Sequence, residues 1–138
     1  MKDIEIAKKI LEEQNLCITV VKDGGLIYKS EDKGIKPMYT LATEMKDDLK
    51  GASIADRVIG RGAAILCSYV GVKKVYGKLI SQSAMEVLKD REIEYDYEKS
   101  CPYIENMDRT DMCPIEKLSL DVEDGDVLID RIKDFLNK

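Results

Sequence analysis

The 138-residue chain has no histidine and no tryptophan, and Phe135 is its only phenylalanine. Without histidine, Ser-His-Asp and Cys-His catalysis are excluded, as is zinc held by imidazole. General-base work near neutral pH also loses its usual side chain. Any chemistry falls to carboxylates, thiols, tyrosine, lysine or a bound cofactor. A basic excess is missing too: the formal net charge is -5, so nucleic acid is not an expected partner. No apolar run is long enough to span a bilayer, and the N-terminus has no signal-peptide core. The sequence therefore reads as cytoplasmic, with no membrane partner. Repeats, low-complexity tracts and domain-separating linkers are absent. The length suits one domain over residues 1–138.

What is present is a chain of clear local signals. Ile4, Ala7, Leu11 and Gln14 recur at helical spacing. Leu16 to Val21 reads as a buried strand, Asp23-Gly24-Gly25 as a hairpin turn, and Leu26 to Lys29 as the returning strand. Pro37 suits the first turn of a helix carrying Met38, Leu41, Ala42, Met45 and Leu49, which Gly51 would end. Ser53-Ile54-Ala55-Asp56 resembles a capping box with Asp in place of Glu, and opens a helical reading through to Val70. Inside it, Gly60 and Gly62 cost about 2 kcal/mol relative to alanine. Tight packing or close approach of a ligand explains such a cost. Gly71 stops that helix. Lys73 to Ile80 is a strand, and Ser81 or Ser83 caps a helix through Asp90. Ile93, Tyr95 and Tyr97 alternate with Glu92, Glu94, Asp96 and Glu98, which marks a strand with one wet face near a sheet edge. Pro114 starts a short helix, and Asp124 caps the last one.

A hairpin followed by a β-α-β unit predicts an α/β fold: three layers, α/β/α, around a mixed sheet. Ligands of such sheets bind beyond the carboxyl ends of the strands. The long run from Ser100 to Pro114 leaves that edge without helical or strand periodicity, as functional loops do. The start of the Ser53 helix, with Asp56 and Arg57, and the start of the Ser81 helix are expected beside it.

Four cysteines are present. Cys17 and Cys67 sit in apolar patterns and read as small hydrophobes. Cys101 and Cys113 each precede a proline in the long loop, and three readings stay open for them. They pack, they switch as a thiol–disulfide pair, or one reacts with a bound ligand. Arg109 and the Pro114 helix start are the features that would lower a thiol pKa there. Arg61 and Arg109 are anchors for a phosphate or carboxylate. Ser81 and Ser83 at a helix start offer backbone N–H groups to an anion, and Asn106 adds polar contacts.

The element order, with Gly60-Arg61-Gly62-Ala63-Ala64, the strand and helix from Val75 to Leu88, and Met112-Cys113-Pro114, resembles a prokaryotic family, domain of unknown function 1893. That family is placed in the cytidine deaminase-like superfamily. The resemblance spans nearly the whole chain and implies a cytidine deaminase-like fold with its site at the carboxyl edge. Zinc deaminases carry H-x-E at one helix start and P-C-x-x-C at the next. The starts here, Ser53-Ile54-Ala55-Asp56 and Ser81-Gln82-Ser83-Ala84, offer neither histidine nor cysteine. No metal and no cofactor are therefore expected. Asp56 stands either near the place of the deaminase glutamate or as a plain helix-cap carboxylate.

The leading expectation is a zinc-independent small-molecule-binding domain with a nucleotide or nucleotide-derived ligand and no assigned reaction. Cys101, Cys113 and Asp56 are the candidates for chemistry; Arg57, Gly60, Arg61, Ser81, Ser83, Asn106 and Arg109 are the candidates for binding. A thiol-redox enzyme or sensor is the alternative. A non-catalytic interaction module, including self-association into a homo-oligomer, is another.

Overall fold

The computed structural model describes residues 1–106 and 108–137. Among them are five strands and six α-helices: α1 (Asp3–Glu13), β1 (Ile18–Lys22), β2 (Gly25–Ser30), α2 (Lys36–Glu44), β3 (Ser53–Ile59), α3 (Arg61–Val70), β4 (Lys74–Ser81), α4 (Gln82–Asp90), β5 (Glu94–Cys101), α5 (Pro114–Ser119) and α6 (Gly125–Leu136). The sheet runs β2-β1-β3-β4-β5. β1 is antiparallel to both neighbours, while β3, β4 and β5 are mutually parallel. The expected mixed sheet is therefore present. None of the described helices is long and apolar enough to cross a membrane.

The hairpin forms where the sequence predicts it. Asp23 and Gly24 both take positive φ, at 51° and 82°, as a tight β1–β2 turn needs. Among the described residues α1 covers one face of the sheet, through Ile4, Ala7 and Leu11 against Val21, Ala55 and Tyr76. Its position is pinned by the buried Thr19 hydroxyl, which donates to the Ala7 carbonyl at 2.7 Å. The larger core fills the opposite face. Met38 and Leu41 of α2, Leu66 of α3 and Leu88 of α4 pack there against Ile18, Ile54 and Val75. Each fully buried Leu or Ile contributes roughly 1.5–3 kcal/mol of transfer free energy. α6 adds Leu128 and Ile132 to the same core from outside α2 and α3.

Two expectations are corrected. Residues 53–59 form the central strand, not the start of a helix. Ile54 and Val58 lie four apart and imitate a helical stripe, but Ser53, Ile54 and Ala55 are all buried, as in a strand covered on both faces. α3 begins only after Gly60, its N-cap residue. The helix expected to run to Leu49 ends at Glu44, and a 3₁₀ turn from Lys46 to Asp48 follows. Gly51, at φ 81°, turns the chain into β3 instead of ending α2.

Candidate functional site

The parallel strands bring three carboxyl ends to one edge: Ile59 of β3, Ser81 of β4 and Cys101 of β5. α3 and α4 start there. Ser81 is buried and caps α4, its Oγ accepting the Ala84 N–H at 3.1 Å. The start of α3, not the expected Ser53 turn, is the second helix start at this edge. Ser53 lies at the amino end of β3, so it belongs to the far side.

Arg61 is the organising side chain. Its Nε donates to the Ser119 carbonyl at 2.7 Å, Nη2 to the Val122 carbonyl at 2.8 Å, and Nη1 to Ser83 Oγ at 3.3 Å. One planar guanidinium thus ties α3 to α4 and to the turn between α5 and α6. Gly60 and Gly62 make room beside it. A Cβ on Gly60 would lie 2.7 Å from Glu116 Oε1, and one on Gly62 2.8 Å from Ile115 Cγ2. The small-residue run therefore serves packing, against α5.

Glu116 went unnoticed in the sequence. It is 2% exposed, with Oε1 accepting the Arg61 N–H at 2.5 Å and Oε2 the Ile104 N–H at 2.9 Å. A carboxylate at a helix start is favoured by the unpaired N–H groups and the dipole there. Glu116 sits two residues after Pro114, where a first-turn carboxylate usually serves its own helix. Serving another helix leaves no local signal.

The loop after β5 is more ordered than its sequence suggests. Cys101 is the last residue of β5, and Glu105 and Met112 form a β-bridge. The Cys113 N–H donates to the Ile104 carbonyl at 2.7 Å, and Asn106 N–H to the Asp111 carbonyl at 2.9 Å. The side chain of Asn106 is engaged by Thr110, through Oδ1 and Nδ2. Arg109 is exposed at φ 57°. Lys117 pairs with Asp111. The expected loop included Met107, which lies outside the described residues.

The thiols differ from expectation. Cys101 Sγ donates to the Ile80 carbonyl at 3.7 Å, and burial, then the charges of Glu116 and Glu105, push this thiol up. A raised thiol is a poor resting nucleophile. Cys113 is half-buried and precedes α5 as its N-cap residue. All four cysteines are free.

Asp56 and Arg57 are not at the edge. Asp56 stands in mid-strand, in register with Ile18 on one side and Gly77 on the other. Its Oδ1 accepts the Val58 N–H at 3.1 Å, and burial pushes the carboxyl up to about 7. Arg57 belongs to the α1 side, where Nε donates to the Leu16 carbonyl at 2.5 Å and Nη2 to Asn15 Oδ1 at 3.0 Å. It locks the α1–β1 turn. Among the described residues no three acidic, thiol or imidazole groups gather as a metal site would require.

Beside the α3 start lies an open depression of about 370 Å³. Arg61 and Arg131 line it with Leu120, Val127 and the acidic stretch Asp121 to Asp124. Leu120 and Val127 are 52% and 44% exposed, unusually open for apolar side chains. Arg131 Nη1 donates to the Leu118 carbonyl at 3.0 Å and to Asp121 Oδ1 at 2.7 Å. Of the expected binding residues, only Arg61 reaches this depression.

No curated protein matches the sequence. A crystal structure of a DUF1893 family protein from Thermotoga maritima, at 2.70 Å resolution, is similar with a TM-score of 0.88. The match covers 97% of this chain and 90% of that one at 27% identity. The model for the family described as Domain of unknown function (DUF1893) matches residues 6–136, and the chain belongs to that family.

Proposed function

We propose that the chain is a small-molecule-binding domain of cytidine deaminase-like type that works without zinc, with a nucleotide-derived ligand in the depression beside the start of α3. The observation that carries this reading is the lining. Two guanidinium groups, two exposed apolar side chains and a row of carboxylates share one depression of about 370 Å³. The guanidinium N–H groups not already given to Ser83, Ser119, Val122, Leu118 and Asp121 suit phosphate, apolar surface suits a flat base, and carboxylates accept sugar hydroxyls. The parallel β3–β4–β5 arrangement, with helix starts at the carboxyl edge, supports the deaminase-like part. The helix starts carry Gly60-Arg61-Gly62 and Ser81-Gln82-Ser83, a donor set unsuited to zinc.

A thermal-shift series with nucleosides, nucleoside mono- and diphosphates and inorganic phosphate tests the reading. Saturation at a hundredfold excess over Kd adds about 2.7 kcal/mol of stability, a rise of several degrees. Leu120→Arg, at an exposed position, fills the depression and should remove the shift while leaving the unliganded melting temperature unchanged. Absence of a shift across the series, or a shift that survives Leu120→Arg, rejects it.

A further inference from the structure

The segment after β5 is joined to the sheet edge in an unusual way. Its two described arms, around Ile104 and around Cys113, are bonded to each other, and α5 continues directly from the second. α5 has six residues, too few to be stable as an isolated helix. Much of the segment is exposed, including Pro102, Tyr103 and Glu105. Of its apolar side chains Ile104 is buried and Ile115 and Leu118 are partly buried against the core, and a segment of such limited burial belongs to the low-stability end of a fold. Besides the Arg61 guanidinium on the Ser119 carbonyl and the Gly62–Ile115 contact, one buried group joins both arms to the start of α3. Glu116 takes the Arg61 N–H on one oxygen and the Ile104 N–H on the other. Cys101, the partly buried last residue of β5, lies three residues before Ile104 with its thiol on the Ile80 carbonyl, and Glu116 and Glu105 both act on that thiol.

We propose that Glu116 is a latch: its carboxylate holds the strap of Ile104 and α5 over the carboxyl edge of the sheet, and breaking its two bonds opens that edge, with Cys101, while the core stays folded. The latch is independent of whether the neighbouring depression binds a ligand. In Glu116→Gln the amide oxygen can still accept one of the two N–H groups, but the other then faces an NH2 donor, which favours the open strap. Gly60 gives a second, independent way to spring it. Its backbone is extended, at φ -96° and ψ -177°, so alanine fits the conformation. Its added Cβ would lie 2.7 Å from Glu116 Oε1 and push the carboxylate away.

The test is alkylation of the native protein by iodoacetamide, followed cysteine by cysteine by peptide mass spectrometry. Cys67 is 1% exposed inside the main core and reports global unfolding. Cys101 reports the strap. In Glu116→Gln and in Gly60→Ala, Cys101 should alkylate about tenfold faster or more, the scale of one lost charged hydrogen bond, with Cys67 as slow as in the parent. An unchanged Cys101 rate in both variants overturns the latch. So does equal acceleration of Cys101 and Cys67, which would mean that the whole domain opens.

Discussion

Asp56 on β3 lies close enough to Cys67 on α3 for its negative charge to add to burial in pushing that thiol up. The Asp56 carboxyl is itself raised to about 7 by burial, against the pull of the Val58 and Arg57 N–H groups. Its ordinary value is 3.8, so between the two values the folded chain holds this proton more tightly than the unfolded chain. Stability therefore falls as pH rises through that window and levels off above about 7, with a slope of at most about 1.4 kcal/mol per pH unit. Glu12, Asp111 and Asp121 are held low by Lys78, Lys117 and Arg131, so they act only in more acidic solution. Urea unfolding at pH 5 and pH 8 should show a loss of stability in the parent and almost none in Asp56→Asn. Equal slopes in the two proteins would refute the assignment.

Arg61→Lys should destabilise the domain by about 2 kcal/mol, because one ammonium cannot span the Ser119 and Val122 carbonyls and Ser83 together. Chemical denaturation measures it. A loss under about 0.5 kcal/mol, the usual scatter of a surface change, would mean that the three bonds are not holding the helices together.

Gly125 opens α6 against the ring of Tyr69, and a Cβ there would lie 2.4 Å from Tyr69 Cδ1. Alanine normally favours a helix by about 1 kcal/mol over glycine. Here overpacking should win, and Gly125→Ala should lose about 1–3 kcal/mol. Combining it with Tyr69→Ala should cost less than the sum of the single changes. Strict additivity in that double-mutant cycle would dismiss the clash.

The two serines at the α4 start are separable. Ser81→Ala removes the N-cap bond to Ala84 and should cost about 1 kcal/mol. Ser83→Ala removes only a 3.3 Å bond from Arg61 and should cost less than about 0.5 kcal/mol. Thermal unfolding of the pair would contradict the assignment if Ser83 were the costlier loss.

Local chemistry made much of the fold legible. The Asp23-Gly24 turn, Asp124 as the cap of α6, Gly71 ending α3 and the β4-α4-β5 unit all lie where the sequence predicts them. Each depends on the conformational needs of a few adjacent residues. β3 is not legible as a strand because its start, Ser53 to Ala55, is buried on both faces and loses its alternation. Ile54 and Val58 then matched a helix by spacing alone. β-α-β logic made legible that the ends of β3, β4 and β5 share one edge, but the helix start there was expected at Ser53 and lies at Gly60-Arg61.

By itself the sequence determined which chemistries are unavailable, through the missing histidine, and where the turns, caps and amphipathic elements fall. Tertiary structure alone decided what the side chains at the edge do. Glu116 reaches a residue 55 positions away, and Arg61 finds backbone carbonyls 58 and 61 positions away. Carbonyls exist at every residue, so no sequence pattern marks the ones a guanidinium will meet. Burial likewise raises the Asp56 carboxyl and the Cys101 thiol, because desolvation depends on everything packed around a group and not on its neighbours in the chain.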